Sequence, residues 1–131
     1  MAAEYEAGIA AASRNHAMAA ETQLGASTNL CVAYTLTREF EQALAPCNKA
    51  VSMAGAFRHT VLLSSASREV LAKALSNRGV LRALSNDTAG ASADFEKATA
   101  MQRSWAAANA NLTRLKDMPS YSAAVARASS N

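Results

Sequence analysis

Between Asn29 and Val51 the chain reads NLCVAYTLTREFEQALAPCNKAV, and its apolar positions fall into two runs on either side of Thr37-Arg38-Glu39. The first run sends Leu30, Tyr34 and Leu36 to one side. The second sets Phe40, Ala43, Leu44, Cys47, Ala50 and Val51 on a stripe with steps of three and four residues, the spacing of an α-helical face. Two helices folded back about a three-residue break predict a hairpin. Ala43, Ala50 and the two cysteines then fall where the helices touch, and small side chains let the backbones come close.

The flanking segments predict further helices. Residues 4–20 (EYEAGIAAASRNHAMAA) read as a helix of small residues, in which Tyr5-Glu6-Ala7-Gly8-Ile9 echoes Phe40-Glu41-Gln42-Ala43-Leu44. Gly8 weakens an isolated helix, so close packing against a helix over 24–37 is expected to compensate. Pro46 removes an N–H inside the second helix of the hairpin and predicts a local distortion. Gly55 suits the left-handed residue that closes that helix. In 58–71, Arg58-His59-Thr60 and Ser64-Ser65 read as loop, and Val61-Leu62-Leu63 as an apolar anchor. From Ser67 the pattern turns helical, predicting a long helix near 67–85. Ser85-Asn86-Asp87-Thr88 is rich in helix-capping side chains. Residues 104–116 (SWAAANANLTRLK) give one more helix, stopped by Pro119, and the last residues add a short helix or fray.

Tyr34, Phe40, Ala43 and Ala50, and then Gly79, Ala91, Phe95 and Ala98, resemble the aromatic and small-residue slots of the tetratricopeptide repeat. Asn77-Arg78-Gly79 followed by Asp94-Phe95 resembles a common bacterial subtype. Two departures stand out: Cys31 replaces a glycine and Arg82 an aromatic. The resemblance covers nearly all of 24–117. It implies an all-α fold of antiparallel helical hairpins stacked as a short right-handed solenoid of about six to seven helices. One domain would span 1–131: a leading half-repeat helix at 4–20, repeat 1 at 24–57, an inserted linker at 58–71, repeat 2 at 72–105, a capping helix at 106–117 and a tail at 118–131.

Composition agrees with this class. At 131 residues the chain suffices for one domain with a core of its own, and it is half hydrophobic but only 5% aromatic. Alanine fills the gap, which favours helices at close approach. Residues 1–55 carry three basic and five acidic side chains, and 56–131 carry ten and five. This mild bias lacks the dense Lys/Arg stripe and stacking aromatics of a nucleic-acid binder. No apolar run reaches the roughly 20 residues that span a bilayer. The first residues, MAAEYE, lack the order of a signal peptide. The protein is therefore expected to be cytoplasmic, or a trimmed mature chain from a periplasm.

No catalytic constellation, phosphate loop or metal-ligand cluster stands out, since His16 and His59 are far apart and in different contexts. The expectation is a non-enzymatic module without cofactor or metal. Trp105 reads as a core or capping residue and the methionines as gap fillers.

Three asparagines, Asn29, Asn77 and Asn111, hold the same slot in three first helices. The resemblance implies that first helices line a concave groove, where an amide offers a donor and an acceptor to the backbone of an extended peptide. The competing reading is that each merely bonds to its neighbouring helix. Lys73 and Arg114 are the cations beside them, too few for a carboxylate clamp, so a neutral or mixed peptide is the expected partner. Self-association as a homodimer through the terminal helices is the alternative function. Arg78 stands beside Gly79 in an otherwise apolar slot and is expected to pair with Asp94 on the facing helix. Cys31 and Cys47 fall at similar heights on the two helices of one hairpin, which leaves two readings: buried free thiols, or a disulfide implying an oxidising compartment.

Overall fold

The computed structural model describes the backbone of residues 2–60, 65–101 and 106–119, and the side chains of 19–56, 66–101 and 109–119. It is all-helical, with no strand among the described residues: α1 (Ala2–Leu36), α2 (Phe40–Thr60), α3 (Ser65–Leu84), α4 (Thr88–Met101) and α5 (Ala106–Lys116). Each helix packs on the next, and α3 also touches both α1 and α5.

The two tight turns are built alike. After α1, Arg38 takes a left-handed conformation (φ 62°); the Glu39 N–H bonds to the Tyr34 carbonyl at 2.8 Å and the Arg38 N–H to that of Thr35 at 3.2 Å. After α3, Asn86 does the same (φ 67°), with Asp87 on Arg82 at 2.8 Å and Asn86 on Ala83 at 3.3 Å. Both are Schellman closures, in which one left-handed residue lets the chain satisfy the last carbonyls and reverse. Asp87 then caps α4, its Oδ1 accepting the Gly90 N–H at 3.0 Å.

These turns, like Asn29 and Asn77, lie 48 residues apart, and the correspondence runs through both hairpins. Ala43 and Ala50 match Ala91 and Ala98, and all four are buried where the helices cross. Cys31 matches Gly79 and Cys47 matches Phe95. α2 has 21 residues where α4 has 14, and an extension of seven residues keeps a helical face nearly in phase.

Several expectations change. Residues 4–20 are not a separate helix but the first half of α1, so they cannot pack on 24–37 of the same chain. Nothing in Ala20-Glu21-Thr22-Gln23 breaks a helix, because neither proline nor a left-handed residue is present. Most of the linker expected at 58–71 is helical instead, since α2 runs on to Thr60 and α3 starts at Ser65; residues 61–64 lie outside the described residues. Gly55 therefore does not end a helix, and no described glycine has positive φ. α2 also runs unbroken through Pro46. Five helices are described where six to seven were expected. The side chains of His16, His59 and Trp105 lie outside the described residues, as do Val61–Leu63 and the tail from 120.

On α1 the face that meets α2 carries Ser27, Cys31 and Thr35, all buried, with Tyr34 half-buried beside them. The Thr35 hydroxyl is satisfied by the Cys31 carbonyl at 2.6 Å. Leu36 was expected on that side, yet it is 76% exposed. Six residues from Leu30 carry it about 240° round the helix, onto another face. Leu30 and Leu44 are exposed too.

Candidate functional site

The exposed face of the first helices has a regular composition. On α1 it carries Asn29, Val32 and Leu36; on α3, Asn77, Val80 and Leu84; on α5, Asn111 and Arg114, followed one turn on by Met118. The spacing is i, i+3, i+7 each time, which keeps the α1 and α3 sets each on one side of the helix, while Met118 follows the end of α5. Val32, Leu36 and Leu84 are exposed large aliphatics and belong to this face rather than to the core.

Two clefts open between these helices. The smaller, of about 80 Å³, lies between α1 and α3 and is lined by Val32, Thr35, Leu36, Asn77 and Val80. The larger, of about 160 Å³, lies between α3 and α5. Val80, Ala83 and Leu84 form its near wall, Asn111, Arg114, Leu115 and Met118 its far wall, with Phe95 behind. Each residue lining the smaller cleft has a counterpart in the larger, while Phe95, Leu115 and Met118 line the larger one alone. Val32, Thr35 and Leu36 become Val80, Ala83 and Leu84 after 48 residues, while Asn77 and Val80 become Asn111 and Arg114 after 34. This is one pocket repeated, with Val80 as the shared partition.

Asn77 and Asn111 thus each sit on a pocket wall. Asn29 is exposed on the same stripe but lines neither cleft. None of the three amides has a hydrogen-bond partner among the described residues. The helix-bonding reading is therefore not what the geometry shows. Lys73, one turn before Asn77, is engaged by Glu69 at 2.8 Å. Arg114 has no ion-pair partner among the described residues.

Behind this face α4 holds α3 in place. Phe95 lies over Gly79, where a β-carbon would come within 2.6 Å of the ring. Arg78 meets Asp94 through two bonds, Nε to Oδ2 at 2.8 Å and Nη2 to Oδ1 at 2.7 Å, and reaches the Asn48 side chain on α2 at 3.2 Å. Arg82 donates to the same carboxylate at 3.0 Å. Hydrogen bonding to Asp94 raises the Arg78 guanidinium above its ordinary range against the opposing effect of burial. Sequence reasoning paired Arg78 with Asp94 but missed Arg82 and Asn48.

In the first hairpin the positions of Gly79 and Phe95 hold Cys31 and Cys47, which form a disulfide with a Cα–Cα distance of 4.7 Å. Both are buried against Leu81 of α3.

Among the described residues no His/Cys/Asp/Glu group is placed to hold a metal ion, and no helix is long and apolar enough to cross a membrane. The pocket role of Val80, Ala83, Leu84, Leu115 and Met118 was not read from the sequence. The signal was the recurrence of Asn-x-x-Val-x-x-x-Leu at 29–36 and 77–84. No protein-family model, curated protein or solved structure matches this chain.

Proposed function

We propose that the chain is a tetratricopeptide-like binding module, its hairpins stacked as a short right-handed solenoid, that takes an extended peptide or protein segment across its first helices and carries out no chemistry of its own. The observation that carries this reading is the repeated pocket with an unbonded amide on its wall. Asn77 and Asn111 each offer a donor and an acceptor beside an apolar cleft. An extended backbone needs that combination: its amides are bonded by the asparagines while its side chains enter the clefts. The buried Cys31–Cys47 bridge supports placing the protein in an oxidising compartment such as a periplasm.

The test is the double substitution Asn77→Ala and Asn111→Ala, assayed with peptides enriched on the parent protein from a random dodecapeptide display library. Affinity should fall by about tenfold or more, one hydrogen bond being worth roughly 1 kcal/mol, with the thermal melt unchanged. Unchanged affinity with a lowered melt would count against the reading and return the amides to a structural role.

One observation favours a second reading, self-association. Leu30, Tyr34 and Pro46 hold the positions of Arg78, Arg82 and Asp94, and Asn48 of the first hairpin reaches into that charged group. Leu30 is 46% exposed. A second copy could cover it. A dimer in sedimentation velocity that Leu30→Glu converts to monomer would favour this reading.

A further inference from the structure

The two clefts differ in ways that specify a ligand. The α1–α3 cleft holds about 80 Å³ and the α3–α5 cleft about 160 Å³. A dry cavity of roughly 150 Å³ accepts a six-carbon ring. The larger cleft therefore fits a leucine, methionine or phenylalanine side chain, and the smaller one only a group the size of alanine or valine. At equivalent positions Thr35 faces the small cleft and Ala83 the large one, so the loss of side-chain bulk on the near wall accounts for part of the difference.

Neighbouring packed helices stand about 8–10 Å apart, so clefts centred on successive gaps repeat at about that distance. A chain in the polyproline II conformation advances about 3.1 Å per residue, and residues i and i+3 are about 9 Å apart on one side of it. Strand geometry brings i and i+2 only about 7 Å apart, too close to reach both clefts. The far walls also differ: the place held by Val80 in the small cleft is held by Arg114 in the large one, and Arg114 has no ion-pair partner among the described residues.

From these three differences we infer that the ligand is a peptide segment carrying a small apolar side chain, a larger apolar one three residues away, and a carboxylate just beyond the larger. The inference rests on the peptide-binding reading and adds register, size order and charge to it. Val80 separates the two anchors, Asn77 and Asn111 bond the backbone between and beside them, and Arg114 meets the acid.

The experiment pans a random dodecapeptide display library on the intact chain and measures enriched peptides by fluorescence anisotropy. Enriched sequences should share the small and large apolar pair at a spacing of three, with Asp or Glu following the larger. Ala83→Leu, which fills the large cleft alone, should cost affinity for peptides with the large anchor about tenfold or more. It should leave selection at the small anchor intact. Arg114→Gln should cost about threefold with acidic peptides and nothing with their amide counterparts, as befits an exposed charge pair. Enriched peptides lacking the spaced pair, or indifferent to Ala83→Leu, would overturn the inference while leaving peptide binding standing. If no peptide is enriched, the peptide-binding reading fails and takes this inference with it.

Discussion

Phe95 is packed so close over Gly79 that a β-carbon there would lie 2.6 Å from its ring, and 48 residues earlier the same two positions hold the disulfide of Cys31 and Cys47. One hairpin closes by an aromatic ring seated on bare backbone, the other by a covalent bridge. Each solution requires the small partner on the first helix. An ordinary side chain at 31 or 79 would push the helices apart and shift the pocket walls that α1 and α3 carry.

Gly79→Ala should therefore destabilise the protein. Alanine gains about 1 kcal/mol of helix propensity over glycine, but overpacking a core costs roughly 1–3 kcal/mol. Phe95 is 1% exposed, and the only space open to its ring is the α3–α5 cleft it already backs. A net loss of about 1 kcal/mol is expected in urea unfolding, partly recovered when Phe95→Leu is added. An alanine variant more stable than the parent would show that the ring yields.

Ala91 has no exposed surface at the α3–α4 crossing. Ala91→Leu should cost roughly 1–3 kcal/mol by overpacking. An unchanged thermal melt would contradict the close crossing.

The bridge should matter for stability more than for shape. Closing the 16-residue separation removes about 3 kcal/mol of unfolded-state freedom in the chain-entropy view. Reduction, or Cys31→Ser with Cys47→Ser, should lower the melting temperature by roughly 10 °C. Thiol titration of the unfolded, unreduced chain should find no free sulfhydryl, and two would contradict the bridge.

Asp94 joins Arg78 and Arg82, and its side chain is 5% exposed. Asp94→Asn leaves two guanidiniums facing one neutral amide and should cost about 3 kcal/mol. The first hairpin carries Leu30, Tyr34 and Pro46 at these positions, so the group is dispensable as a set. Arg78→Leu, Arg82→Tyr and Asp94→Ala together should cost less than Asp94→Asn alone. The opposite ranking in urea unfolding would mean the charges stabilise beyond their own desolvation.

Much of this was legible in the chain. Ala43, Ala50, Ala91 and Ala98 mark helix crossings because only small residues fit there, and Arg78 needed a carboxylate because a charge in an otherwise apolar slot must be paired or be desolvated at a cost. Leu36 misled, because one-letter hydrophobicity does not distinguish a core leucine from one lining a cleft; its place five residues from the buried Cys31, about 140° round the helix, does. The fusion of 4–20 into α1 was hidden by the echo of Phe40–Leu44 at Tyr5–Ile9, a sequence pattern that carries no signal for chain reversal. Reversal needs a left-handed residue such as Arg38 or Asn86, and none stands at 20–24.

The face shared by α1, α3 and α5 is tested most directly by amide chemical-shift mapping. Uniformly 15N-labelled protein would be titrated with the tightest peptide from the display library. The expected result is a set of shifts concentrated on Val32, Leu36, Asn77, Val80, Ala83, Asn111 and Arg114, and absent from Leu30 and Tyr34. Shifts confined to Leu30 and Tyr34, or an increase in mass with no shift along the clefts, would contradict it.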